Sequence, residues 1–176
     1  GRKFDMPVAV GALAANEAIY AIGMGVPVDE IGQKWTQAMA NPMHPRIVTE
    51  APCQEVVLQG AELQGDGKGM DAIPIPVSTP GFDSAPTLTA TNVVTKDPIS
   101  GVQNMGTYRC ALKAPDRIVV RMATRVGGAG GYVHWQDYKK RGETMPIAIV
   151  LGCPPLVAFM GPQKLPLGID EIDIAG

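Results

Sequence analysis

The sequence predicts an α+β protein: a small helical N-terminal part followed by a β-rich body, most simply a barrel with one or two covering helices. Three observations predict it. The hydrophobic period changes from helical to alternating near residue 47. Turn signals then recur at short intervals: "GDGKG", "STPGFDSAP", "DPISG" and "APD". Glycine (21) and proline (16) are abundant while aromatics are only 5%, which favours turns and short strands over long helices.

The elements follow in order. "MPVAVG" (6–11) reads as a short buried strand. "ALAANEAIYAIGMG" (12–25) carries Leu13, Ala14, Glu17, Ala18, Ala21 and Ile22 at helical spacing and ends on glycines. A second helix spans 28–39, with Ile31, Trp35, Ala38 and Met39 on one face and Asp29 available as N-cap. "NPMHPR" breaks it. Candidate strands cover 46–52, 54–63, 72–78, 88–98, 102–113 and 117–125. Asp97-Pro98 opens a hairpin turn that Gly101 closes, and "APDR" is a second tight turn. A glycine loop leads into helix-like sequence at 132–141. Residues 145–152 suit a buried strand, "PPLVAFMG" a short helix starting at its prolines, and "GIDEIDIAG" the start of another helix with acidic residues at its head.

Composition excludes some classes of function. The chain has 176 residues, 45% of them hydrophobic, so a sizeable core is expected and global disorder is not. A net charge of −2 offers no basic stripe for nucleic acid, and no apolar run approaches a membrane span. A soluble, cytoplasmic protein is expected. Cys53, Cys110 and Cys153 lack metal-ligand or CxxC spacing and are read as buried, inert thiols. The abrupt end after "GIDEIDIAG" reads as that of a fragment.

Polar chemistry concentrates in "GVQNMGTYR" (101–109). On a strand, Asn104, Gly106 and Tyr108 face one side, and Met105, Thr107 and Arg109 the other. A bulge or bend at Gly106 would bring the two sets together, whereas the same spacing fits an ordinary hairpin strand with a surface arginine. In "RMATRVGGAGG" (121–131), bare backbone N–H groups just before a helix suit a phosphate, and Arg121 and Arg125 suit its oxygens; a simple flexible connection fits the loop equally. His44 and His134 have no second ligand at metal spacing and read as structural. Asp170, Glu171 and Asp173 fit either a charged helix start or a hard-metal ligand.

Taken together, "GFDSAPTLTATNVVTKDPISGVQNMGTYR", "RMATRVGGA", "MPIAIVLGCPPL" and "KLPLGIDEIDIAG" resemble, in order and spacing from about residue 80 to 176, the UbiD family of reversible aromatic and α,β-unsaturated acid decarboxylases. The resemblance implies a division into residues 1–64, the end of an α/β N-terminal domain, and residues 65–176, a split-barrel domain for prenylated flavin mononucleotide, with the C-terminal domain absent. It implies Mn2+ joining the cofactor phosphate to the protein, with K+ as a further candidate ion. Position by position, Asn104 and Glu171 match the metal ligands. Thr107, Tyr108, Arg109, Arg121, Met122, Ala123, Val126 and Gly127 match cofactor contacts. Arg109 also matches the arginine that holds the substrate carboxylate.

Two departures carry consequences. The family commonly has His-Arg before its paired glycines, where this chain has Arg125-Val126. A guanidinium cannot ligate a metal but neutralises phosphate directly, so Arg125 is expected to take over part of the metal's role, leaving Mn2+ occupancy open. The family's acidic proton donor falls beyond Glu171, so this stretch alone is expected to be inactive. The implied partners are an aromatic or unsaturated carboxylic acid, a flavin prenyltransferase as cofactor source, and further copies in a homo-oligomer. A plain FMN-binding barrel and a non-catalytic scaffold of a multi-subunit carboxylase are the rival readings.

Overall fold

The computed structural model describes residues 4–125 and 127–176. They form two compact units, neither continuous in sequence. The larger comprises Val10–Pro45, Ala90–Tyr108 and Met122–Gly176; the smaller comprises residues 4–9, Arg46–Thr89 and Arg109–Arg121. The described strands form two open three-stranded antiparallel sheets, one in each unit, and do not close on themselves as a barrel.

The larger unit begins with helices α1 (Ala12–Ala15) and α2 (Ala18–Met24). One helix was expected here. Asn16 breaks it, turning extended while its side-chain oxygen accepts from the Ala18 N–H at 2.8 Å, the local competition that makes Asn a poor helix interior. Gly25, left-handed at φ 66°, ends α2 as expected. The next helix opens with a 3-10 turn (Val28–Glu30) that contains Asp29, so Asp29 is not an N-cap; α3 (Ile31–Ala40) follows.

The sheet of this unit has the order β3-β2-β6, with β2 (Asn92–Lys96) central, β3 (Gln103–Thr107) at one edge and β6 (Ala148–Val150) at the other. The β2–β3 turn is the one its residues dictate. Asp97 Oδ1 accepts from the Ile99 and Ser100 N–H groups at 2.7 Å each, and Gly101 closes the turn at φ 77°. Two helices pack with the sheet, α4 (Gly130–Arg141) and α6 (Glu171–Ala175), while α5 (Pro155–Met160) packs on α2 and α6. The expected strand at 145–152 is shorter and less buried than predicted, with Val150 and Leu151 exposed. Met105, Met160 and Ile174 form the core, joined by Trp35, Met39, Leu165 and Ile169. Phe159 makes edge contacts with both Tyr20 and Trp35, at centroid separations of 5.3 and 5.6 Å.

In the smaller unit the sheet order is β1-β4-β5: β1 (Thr87–Leu88), β4 (Arg109–Ala114) and β5 (Arg117–Arg121). The "APD" turn joins β4 to β5 as predicted. The strands expected at 46–52, 54–63 and 72–78 are absent; 3-10 turns stand at Pro52–Gln54, Gly60–Leu63 and Gly69–Ala72. Pro52, Pro74 and Pro76 remove ladder donors, and Ile47, Val56 and Val57 remain exposed, so the alternating pattern meets no partner strand. The expected strand at 6–11 is likewise irregular. Among the described residues Cys110 is the unit's one buried hydrophobic side chain, while Cys53, expected to be buried, is exposed. No described helix is long and apolar enough to cross a membrane.

Candidate functional site

The predicted strand 102–113 divides at Tyr108, with β3 going to one sheet and β4 to the other. β3 pairs with β2 residue for residue from Gln103 to Thr107, so no bulge occurs at Gly106. The alternation still holds: Asn104, Gly106 and Tyr108 act as one face. The Tyr108 ring folds back over Gly106, where a Cβ would overlap the phenol. Its hydroxyl oxygen accepts from Asn104 Nδ2 and from the Gly131 N–H, at 3.3 and 3.2 Å.

α4 starts against this face. A Cβ on Gly130 would fall inside the Asn104 carboxamide oxygen, so only glycine permits the approach. Four residues on, His134 is buried and its Nδ1 lies 2.9 Å from Thr95 Oγ1. Thr95 is the cross-strand partner of Asn104, so one stripe of α4 covers both. Burial depresses the His134 pKa below its ordinary 6.5, outweighing the attraction of Asp97 and Asp137, and keeps the imidazole neutral at pH 7.

α6 closes the outer edge of β3. Glu171 is 6% exposed, and its Oε2 accepts from the Met105 N–H at 2.7 Å. Burial raises its pKa despite that bond. Asp170 caps the helix, accepting from the Ile172 N–H at 2.9 Å, and also accepts from Gln103 Nε2 at 3.2 Å. Thr107 donates to Asn92 Oδ1 at 3.2 Å, and Asn92 Nδ2 donates to the Cys153 sulfur at 2.9 Å. The Cys153 thiol is pushed up by burial, as an inert thiol should be.

These elements line a cavity of about 700 Å³, open to solvent, within the larger unit. Of the predicted site residues, Asn104, Thr107, Tyr108, Ala123, Arg125, Gly127 and Glu171 line it. Met122 lies beside its wall, its sulfur against Gly131. Val126 lies outside the described residues. Arg109 and Arg121 belong to the smaller unit, where they are cross-strand partners in the β4–β5 ladder and both exposed. Like charges directly opposite each other are unfavourable, and neither arginine pairs with a carboxylate among the described residues. No three His, Cys, Asp or Glu side chains cluster as metal ligands among the described residues. Asn104 and Glu171 are two residues with side-chain oxygen atoms on the wall of one cavity.

Sequence reasoning missed the wall at 161–169 and the place of His134. "GPQKLPLGI" looks like a plain loop, and the only signal for His134 was its four-residue spacing from Gly130.

The family model described as the UbiD 3-octaprenyl-4-hydroxybenzoate carboxy-lyase Rift-related domain matches residues 46–176. The chain therefore belongs to the UbiD family of carboxy-lyases. Among solved structures it is similar to the UbiD-class enzyme HmfF from Pelotomaculum thermopropionicum in complex with FMN. That match has 28% identity and a TM-score of 0.79 over 91% of this chain and 34% of that one. An evolved dimeric form of the same enzyme, in complex with prFMN, matches at 27% identity and a TM-score of 0.73, over 91% of this chain and 36% of that one. The apo 3,4-dihydroxybenzoic acid decarboxylase AroY of Klebsiella pneumoniae shares the fold, at 23% identity and a TM-score of 0.74, over 95% of this chain and 34% of that one. The chain spans about a third of the length of these structures.

Gly130→Ala is expected to destabilise the protein by about 2–3 kcal/mol in urea unfolding, because the new methyl meets Asn104. Gly32→Ala, in α3 with open space around it, is expected to stabilise by about 0.5–1 kcal/mol. In an NMR titration the His134 ring is expected to protonate below pH 6.5. The sign follows from burial: the folded state resists the proton, so this group's contribution is full above 6.5 and declines as pH falls toward the folded value. A midpoint above 6.5 would contradict the packing described.

Proposed function

We propose that this chain is the prenylated-FMN-binding portion of a reversible, non-oxidative carboxy-lyase acting on aromatic or α,β-unsaturated carboxylic acids. The observation that carries the reading is the cavity itself. Its volume suits a mononucleotide-sized ligand. Its lining includes a glycine loop, the start of a twelve-residue helix and Arg125, a chemistry suited to phosphate. The binding of FMN and prFMN by HmfF supports the same ligand class.

In this reading Asn104 and Glu171 hold a divalent ion, Mn2+ by family resemblance, against the phosphate, and Arg125 neutralises phosphate charge that the ion leaves. Thr107, Tyr108, Met122, Ala123 and Gly127 line the cofactor's bed, with Arg121 and Val126 as further contacts. Arg109 orients the substrate carboxylate, and the unpaired charge it shares with Arg121 suits an anion. Prenylated flavin, when bound, supplies the electron sink for loss of carbon dioxide; the protein orients, excludes water and delivers the proton. A prenyltransferase supplies the cofactor, and the whole enzyme is a homo-oligomer.

Native mass spectrometry of the chain with prenylated FMN, with and without Mn2+, tests this. Retention of one prenylated flavin per chain is expected, strengthened by Mn2+ but not abolished without it. Retention of plain FMN in preference would favour an ordinary flavin barrel, and retention of neither would count against the cofactor reading.

A further inference from the structure

The cavity wall carries two carboxylates and two basic side chains. Both acids accept backbone N–H groups of the protein itself. Asp97 takes the N–H groups of its own turn, which hold its pKa low, and Glu171 takes the Met105 N–H. The cations are not matched in this way. Arg125 and Lys164 form no ion pair with a carboxylate among the described residues. The cavity is therefore lined by two basic side chains without an ion-pair partner among the described residues, one from the glycine loop and one from the 161–169 segment.

Lys164 is held in place by its neighbours. On one side the Gln163 N–H donates to the Met160 carbonyl at 3.0 Å, and Gln163 Nε2 donates to the Phe159 carbonyl at 2.9 Å. On the other side Leu165 packs into the Met105–Met160–Ile174 core. Pro162 and Pro166 restrict the backbone further. The main chain is thus anchored, and Lys164 is an exposed residue of the cavity wall. Arg125 is tied at its carbonyl, which accepts from the Gly128 N–H at 3.1 Å.

We propose that Lys164 and Arg125 form a two-walled clamp for a dianion, and that Lys164 determines preference for the phosphorylated over the unphosphorylated flavin. This rests on the reading that the cavity takes a flavin mononucleotide. A phosphate monoester is close to doubly charged at neutral pH, and without a divalent ion one guanidinium leaves part of that charge unmatched. A flexible ammonium from the facing wall supplies the remainder as a point charge.

The test uses the full chain and two probes, FMN and riboflavin, titrated by flavin fluorescence. The wild type is expected to prefer FMN. Lys164→Gln is expected to weaken FMN about fivefold, leave riboflavin unchanged and flatten the salt dependence of FMN binding; Lys164→Arg should restore the preference. Equal weakening of both flavins in Lys164→Gln, no change in either, or a wild type without preference would overturn the clamp. A wild type that binds neither flavin would sink the flavin reading and the clamp together, whereas an FMN preference that survives Lys164→Gln would sink the clamp alone.

Discussion

The approach of α4 to β3 at Gly130 sets the geometry of the larger unit's cavity. The Asn104 carboxamide fills the space that any side chain at 130 would need. The same contact brings the Gly131 N–H to the Tyr108 hydroxyl and lays His134 on Thr95 one turn further along. Three groups on one sheet face are thereby fixed by a single helix, and the glycine loop must end where that helix begins. A shift of α4 by the width of a methyl group would move Asn104, Tyr108 and the loop together.

The opposite side of β3 shows the complementary constraint. An edge strand exposes backbone donors, and here a buried carboxylate, Glu171, satisfies one of them. That bond locks α6 to the sheet and places a carboxylate with a raised pKa on the cavity wall. The smaller unit presents a different imbalance: two arginines face each other across a ladder, with one buried hydrophobic side chain beneath.

Much of this was legible where the determinants are local. The Asp97–Gly101 turn, the helix that begins at the prolines of "PPLVAFMG", the acidic head of α6 and the shared face of Asn104, Gly106 and Tyr108 follow from turn chemistry, capping and the two-residue period. Residues 46–78 misled because alternation describes a surface that fits a sheet, not the presence of a partner strand. The division at Tyr108 was hidden for a similar reason: a continuous strand-like pattern does not reveal that its halves pair in different sheets. His134 and the 161–169 wall reach the cavity only through tertiary packing, which no local spacing encodes.

The most direct measurement is a crystal structure of the chain with FMN and Mn2+. The proposed site requires the phosphate in the cavity between Asn104, Arg125 and the start of α4, with the ion contacted by the oxygens of Asn104 and Glu171. Flavin density outside this cavity, or a phosphate bound away from β3 and α4, would contradict it.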